Sequence, residues 1–405
     1  KSYTLSTKLL ILNEAYVTPK AATSPIKKKT VRLFSKFDFS VFLNSANRRE
    51  DSPAKGKVLK SKKVARVRIE DVAAQAGVAI SSVSRVLSGH KSVSEAMRIK
   101  VEKSVNNLGY RPDHLAQSLR RGTTHTIGFM IRDIMNPFFS TIAQSCEAEL
   151  RKSHYSMILI NSSGTEDTEK LNFAILKSRR VDGVIASLVS ETSDSVKEDL
   201  ELFGAPTVLL DRKLPGVISS AVLSDHALGV KKAVAHLLSQ GHTRIAFISG
   251  PKDMYVTKNR LEGFKSAYKD ADEKIFPELI RLKDFTEKYA KEETLKLFKL
   301  PKPPTAILTG GIGASGGTLH ALKEIGKVPE KYVTIIALDE WPLFDLLNPP
   351  ISSVYRNPEL IGKYAAELIL ELIRGEAPRT ILIPTTFHSV SEKKAKANSN
   401  KGKKS

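Results

Sequence analysis

Two acids, Asp211 and Asp339, each close a short run of β-branched and aliphatic residues, PTVLLD at 206–211 and VTIIALD at 333–339. A carboxylate at the carboxyl end of a buried strand is a strong acceptor, and two of them can hold the hydroxyls of a small polyhydroxylated ligand. Between them, Gly311, Gly313 and Gly316 spell G-x-G-x-x-G after TAILTG and ahead of a helical pattern, with Asp339 ending the next strand 23 residues on. That is the pattern of a dinucleotide-binding turn, in which glycines admit a pyrophosphate to backbone N–H groups and the acid takes a ribose hydroxyl. The motif lies deep in the chain rather than opening a mononucleotide-binding half, and no catalytic base with a proton shuttle accompanies it. None of the nine histidines forms HExxH, Cys146 is the only cysteine, and no nucleophile elbow occurs. An NAD(P)-type dinucleotide-binding enzyme therefore stands only as an alternative; the chain is read as a non-enzyme with no cofactor and no metal.

The elements that must position these acids alternate. Strand runs fall at 126–131, 155–160, 181–188, 206–211, 244–250, 305–310 and 333–339, with amphipathic helical stretches at 138–152, 166–178, 226–240, 257–270, 286–298 and 358–373. Strands alternating with helices build parallel, doubly wound sheets, whose ligands sit beyond the strands' carboxyl ends. So many strands over 123–390 fit two lobes better than one, with a binding cleft between them.

The chain has 405 residues and a formal net charge of +21, and the excess is not spread evenly. Residues 1–67 carry sixteen basic against four acidic side chains, 68–122 nine against five and 391–405 six against one, whereas 123–390 carries thirty-three of each. The large domain is thus neutral, and the positive charge sits where a polyanionic partner would be met. Residues 1–67 and 391–405 lack sustained periodicity and read as a basic, disordered arm and tail. No apolar run approaches the roughly 18 residues of a membrane helix. A single cysteine asks for no oxidising compartment. Cytoplasm is the expected location, although the acid-poor, serine-containing start leaves room for the remnant of a targeting segment.

RIEDVAAQAGVAISSVSRVL at 68–87 reads as a helix ending at Gly77, a tight turn, and a second helix from about Ile80. Ile69, Val72, Ala73 and Ala76 share one face of the first helix, and Val78, Val83 and Val86 complete a small core. Glycine at the turn takes a left-handed backbone angle without steric cost. A third helix starts after Ser94 as N-cap, turns Val101 and Val105 inward and ends at Gly109. This is the pattern of a helix-turn-helix, whose second helix offers its exposed side chains to the DNA major groove.

The stretch from EDVAAQAGVAISSVSRVL through LGYRP to NPFF resembles the lactose-repressor (LacI/GalR) family of transcriptional regulators, and so do RRVDGVI, LLDRKLPG, HLLSQGHTRIAFISGP, NRLEGF, PPTAIL and LDEWPLFDLLNPPISSVYRNPELIG. The likeness covers about 68–390, four-fifths of the chain. It implies a helix-turn-helix headpiece at 68–112, a hinge helix at 113–122 and a periplasmic-binding-protein-like sensor of two doubly wound lobes at 123–390. It also implies a repressor acting as a homodimer, or a higher oligomer, on a pseudo-palindromic double-stranded operator. A small-molecule effector, either a sugar, a sugar acid or a sugar phosphate, would control it. Ile80, Ser81 and Arg85 match the family's base-reading positions, with Ser82 and Ser84 beside them. Arg can bridge guanine O6 and N7, and Ile can pack on a thymine methyl. Leu119 matches the leucine that the hinge helix wedges into the minor groove, flanked by Leu115 and Ala116, with Arg120 and Arg121 on phosphates.

In the sensor, the resemblance assigns effector contacts to Asn136, Phe138 and Phe139 in the first loop, to Asp211, Arg260 and Asp339, and to Phe285 as an aromatic platform. Two positions depart from the family pattern. Gly311 and Ile312 stand where Asn-Asp is usual, and Arg356 stands where an amide is frequent. Losing an acid and gaining a cation predicts a positive pocket and an anionic carbohydrate effector, or else a pocket that no longer binds ligand. A sugar-binding protein without DNA binding is a further alternative, but it leaves the headpiece unexplained.

Overall fold

The computed structural model describes residues 67–90, 92–111 and 122–391. The expected hinge residues Leu115, Ala116, Leu119 and Arg120 lie outside the described residues, as do the basic segments at 1–66 and 392–405.

Three helices open the described chain: α1 (Ile69–Ala76), α2 (Ile80–Leu87) and α3 (Glu95–Leu108). Gly77 takes φ 64° between the first two, the left-handed geometry that the turn requires. Ser94 caps α3 by accepting from the backbone N–H of Met97, and Gly109 ends it at φ 62°. Val72, Ala73, Val83, Val86 and Val101 form the small core.

Two six-stranded sheets follow. In the first, β1 (Thr126–Ile131), β2 (Ser156–Asn161), β3 (Gly183–Ala186), β4 (Thr207–Leu210), β5 (Ser220–Asp225) and β11 (Thr380–Pro384) run in the order β2-β1-β3-β4-β5-β11. Every pairing is parallel. β1 sets the pattern: Ile127, Phe129 and Ile131 face one core and Met130 the other, so both faces are buried. Helices α4 (Pro137–Lys152) and α11 (Pro358–Ile373) cover the first face, and α5 (Glu166–Ser178) and α6 (Asp194–Phe203) the second. Cys146 is buried on α4, where desolvation pushes its thiol up, so it is a core residue.

The second sheet contains β6 (Ile245–Ser249), β7 (Ile280–Leu282), β8 (Ala306–Thr309), β9 (Thr334–Leu338), β10 (Ser352–Tyr355) and β12 (Thr386–His388) in the order β7-β6-β8-β9-β10-β12, with β12 antiparallel. Helices α7 (His226–Ser239) and α8 (Tyr255–Asp270) pack on one face, α9 (Glu287–Leu297) and α10 (Ile312–Glu324) on the other. The chain passes between lobes three times, at Asp225–His226, at Arg356–Asn357 and at Thr385. Two of these crossovers are tied, because Thr385 Oγ1 donates to the Asp225 carbonyl at 2.7 Å. Among the described residues no helix is long and apolar enough to cross a membrane.

Candidate functional site

The headpiece offers one face of α2 to solvent. Val83 and Val86 point into the core, while Ser81 and Arg85 are exposed, Ser82 and Ser84 are half-buried, and Ile80 is 42% exposed. An aliphatic side chain left that open at the start of a core-forming helix is not consumed by packing. Ile80, Ser81 and Arg85 are thus open to solvent on α2.

Between the lobes, Asp211 ends β4 in the first lobe and Asp339 ends β9 in the second. Both hold positive φ, 48° and 143°. Such backbone costs a non-glycine residue on the order of 1–3 kcal/mol and persists only where the surroundings fix it. Here the fixing partner is Arg356, in the crossover after β10. Its Nε donates to Asp339 Oδ1 at 2.6 Å and its Nη1 donates to Asp211 Oδ2, 145 residues away in sequence. The guanidinium carbon lies 3.6 Å from the ring centroid of Phe138, a cation–π contact in a desolvated place. Asp211 also accepts from the backbone N–H of Ser224 at 2.6 Å and from its hydroxyl at 3.2 Å. Burial works against ionising Asp211, but His226, Arg356 and the Ser224 N–H outweigh it and hold the carboxyl well below the usual range. His226 Nε2 stands 3.4 Å from Asp211. Burial, helped by Arg260 and Arg356, lowers His226 to about 4, so the imidazole is neutral at pH 7.

Arg260, on α8 and 2% exposed, donates to the Gly310 carbonyl at 2.9 Å, and burial lowers it to about 10 against the pull of Asp339. Asp211 and Asp339 match Arg260 and Arg356 in number, with the buried Arg212 beside Asp211. The cation at Arg356, expected to lie open to an anion, is held by two carboxylates, a pairing that separation along the chain had hidden.

The remaining expected residues divide. Phe138 lies under Arg356, and Phe139 meets its edge at 5.6 Å while packing on the first-lobe core. Asn136 is committed to capping α4, its Oδ1 accepting from the Phe138 N–H at 3.1 Å. Phe285 belongs to a second set. It packs on Gly250, where a Cβ would fall 2.0 Å from the ring, and faces Arg132 of the first lobe at 5.6 Å. Beside it Arg132 Nη1 reaches Met254 Sδ at 3.9 Å, and Glu191 of the first lobe accepts from the backbone N–H of Tyr255 in the second. Sequence reasoning missed Arg132, Glu191, Arg212 and His226. Arg212 had a signal, a cation next to a strand-end acid; its Nε donates to the Leu188 carbonyl at 2.7 Å and its Nη1 to the Asp211 carbonyl at 2.8 Å.

Of the three motif glycines only Gly313 is tightly packed: a Cβ there would lie 2.9 Å from the Phe285 carbonyl oxygen, whereas Gly316 has 3.8 Å to its nearest neighbour. At Gly317, just beyond the motif, a Cβ would lie 2.0 Å from the Glu287 carbonyl oxygen, so Gly313 and Gly317 let α10 approach α9. Among the described residues no group of three or more potential metal ligands occurs.

Comparison with known proteins agrees with this architecture. The family described as bacterial regulatory proteins, lacI family, matches residues 68–113, and that of periplasmic binding proteins and sugar binding domain of LacI family matches 124–391. The ribose operon repressor of Escherichia coli (strain K12) is 32% identical over 306 residues, 75% of this chain and 92% of that protein. The HTH-type transcriptional repressor PurR of Vibrio vulnificus is 30% identical over 313 residues, 76% of this chain and 92% of the relative. A LacI family transcriptional regulator from Enterococcus faecium, solved with bound ribose, superposes with a TM-score of 0.57 at 28% identity, covering 65% of this chain and 97% of that one. With an exposed reading helix, two periplasmic-binding-like lobes and both family matches in register, the chain belongs to the LacI family of DNA-binding transcriptional repressors.

Proposed function

We propose that this repressor binds a pseudo-palindromic operator as a twofold dimer in the cytoplasm, and that a small carbohydrate held between its lobes controls the affinity. One short recognition helix reads only a few base pairs, and twofold symmetry doubles the readout. Ile80, Ser81 and Arg85 read base edges, with Ser82 and Ser84 beside them. Leu115, Ala116, Leu119 and Arg120 act at the operator centre by virtue of their match to the family's hinge.

The observation that carries the effector assignment is the convergence of Asp211 and Asp339, one from each lobe, on the Arg356 guanidinium over the Phe138 ring. Carboxylates hold hydroxyls, an aromatic face holds the apolar face of a sugar ring, and a ligand gripped from both sides shifts the lobe equilibrium. Ser162 Oγ, Ser187 Oγ and Ser249 Oγ, each at the carboxyl end of a strand, are buried without a partner and suit a hydroxyl-rich guest or its waters. The engagement of Arg356 favours a neutral sugar over a sugar acid or phosphate, since an anion must compete with two carboxylates for it. Calorimetry against neutral pentoses and hexoses, sugar acids and sugar phosphates tests this reading. Binding of a neutral sugar that is lost in Asp339→Asn supports it, and exclusive binding of anions refutes it.

A further inference from the structure

We propose that Arg356 is an internal occupant of the interlobe cleft, closing the two lobes on each other without any effector. This rests on the reading that the cleft is the effector site and deepens it. The side chain takes up the groups that a bound ring would use to join the two lobes. It bonds a carboxylate of the first lobe, bonds a carboxylate of the second, and covers the Phe138 ring at 3.6 Å. It is itself 8% exposed. The space left beside it, lined by His226, Val230, Arg260, Leu338, Val354 and the two network residues Asp339 and Arg356, has no room even for a water-sized guest. Small-molecule sites span roughly 300–1,000 Å³, so none is open here while the guanidinium stays in place.

A tethered side chain needs no association step, so its effective concentration in the cleft exceeds that of any free ligand at ordinary levels. Opening the lobes must separate Arg356 from Asp211 and expose or strand a buried charge, which resists opening far more than loss of a surface pair would. Away from the network, the bond from the Tyr255 N–H to Glu191 joins the same two lobes and favours the same arrangement. A ligand enters only if it can part Arg356 from Asp211, so Arg356 sets both the resting lobe arrangement and the threshold for response.

Pulsed electron–electron distance measurement on the full chain tests this. Spin labels at Leu202→Cys and Tyr332→Cys use exposed positions, one in each lobe, while the buried Cys146 stays unlabelled. Mixed and exchanged with a large excess of unlabelled protein, so that a dimer carries at most one labelled chain, the parent without added sugar should give one narrow interlobe distance. Arg356→Gln should broaden it or shift it by several ångströms, and Asp211→Asn, nearly isosteric, should do the same and carries the test if the first variant fails to fold. Identical narrow distributions in parent and variants overturn the proposal, as does a broad distribution in the parent. Operator affinity of the same samples separates the two readings. Distances that open while affinity stays within twofold leave the internal occupant standing and remove the cleft from control of DNA binding.

Discussion

Removing Asp211 or Arg356 should each be costly, and removing both should cost much less than the sum. The parent site balances Asp211 and Asp339 against Arg260 and Arg356, with His226 neutral. Asp211→Asn keeps the shape and an acceptor for the Ser224 N–H, but leaves one uncompensated positive charge in a buried place. Arg356 retains Asp339, so the expected loss is about 2–4 kcal/mol, slightly below the range for a fully stranded buried partner. Arg356→Gln leaves Asp211 and Asp339 facing Arg260 alone, an uncompensated negative charge, with an expected loss of about 3–5 kcal/mol. The double variant restores neutrality, because Asp339 and Arg260 remain. The coupling should therefore be about 2 kcal/mol or more, within the span measured for close buried charge pairs. Urea unfolding at fixed protein concentration gives the four stabilities, and constant m-values validate the comparison. Additivity of the two single losses to within about 0.5 kcal/mol would show that the residues act independently and refute the network.

Arg85→Ala should weaken operator binding by about 1–3 kcal/mol and relax preference at one base pair per half-site, read by titration against single-base operator variants. Glu169, raised by burial from 4.5 to about 7, holds its proton more tightly folded than unfolded, so its favourable contribution is complete below pH 4.5 and lost as pH climbs through 7. Glu169→Gln should thus gain on the parent over that window, by up to about 3 kcal/mol above pH 7; parallel pH profiles for both proteins would defeat the assignment. Gly317→Ala should cost about 1–3 kcal/mol because its Cβ meets backbone 2.0 Å away, whereas Gly316→Ala, 3.8 Å from the nearest atom, should be neutral or slightly stabilising. Equal effects at the two glycines in thermal unfolding would contradict the packing role.

Much of the fold was legible because parallel strands buried on both faces must be apolar throughout. TIGFMI, RIAFISG and VTIIALD read as strands, and helix 166–178 is observed with the expected bounds. β5 escaped because Ser220 and Ser224 interrupt it; both are buried, and Ser224 donates twice to Asp211. β11 and β12 escaped for a different reason. Their assignment to opposite lobes is a tertiary fact, fixed by pairing with β5 and β10, and no local periodicity announces it. At the site, the types and places of Asp211, Arg260, Asp339 and Arg356 could be read one at a time. Their pairing could not, because it depends on a guanidinium meeting an acid from the other lobe. A cation added to a family pattern reads as an affinity for anions only if no acid is already waiting for it.

Selection of bound sequences from a random double-stranded pool puts sequence-specific, twofold recognition of DNA through α2 to the test. Purified full-length protein should enrich a pseudo-palindrome of two inverted half-sites, and the same selection with Arg85→Ala should lose information at one symmetric pair of positions while keeping the half-site spacing. Enrichment of a single asymmetric site, or of no sequence at all under salt conditions where the protein still binds DNA, would contradict it.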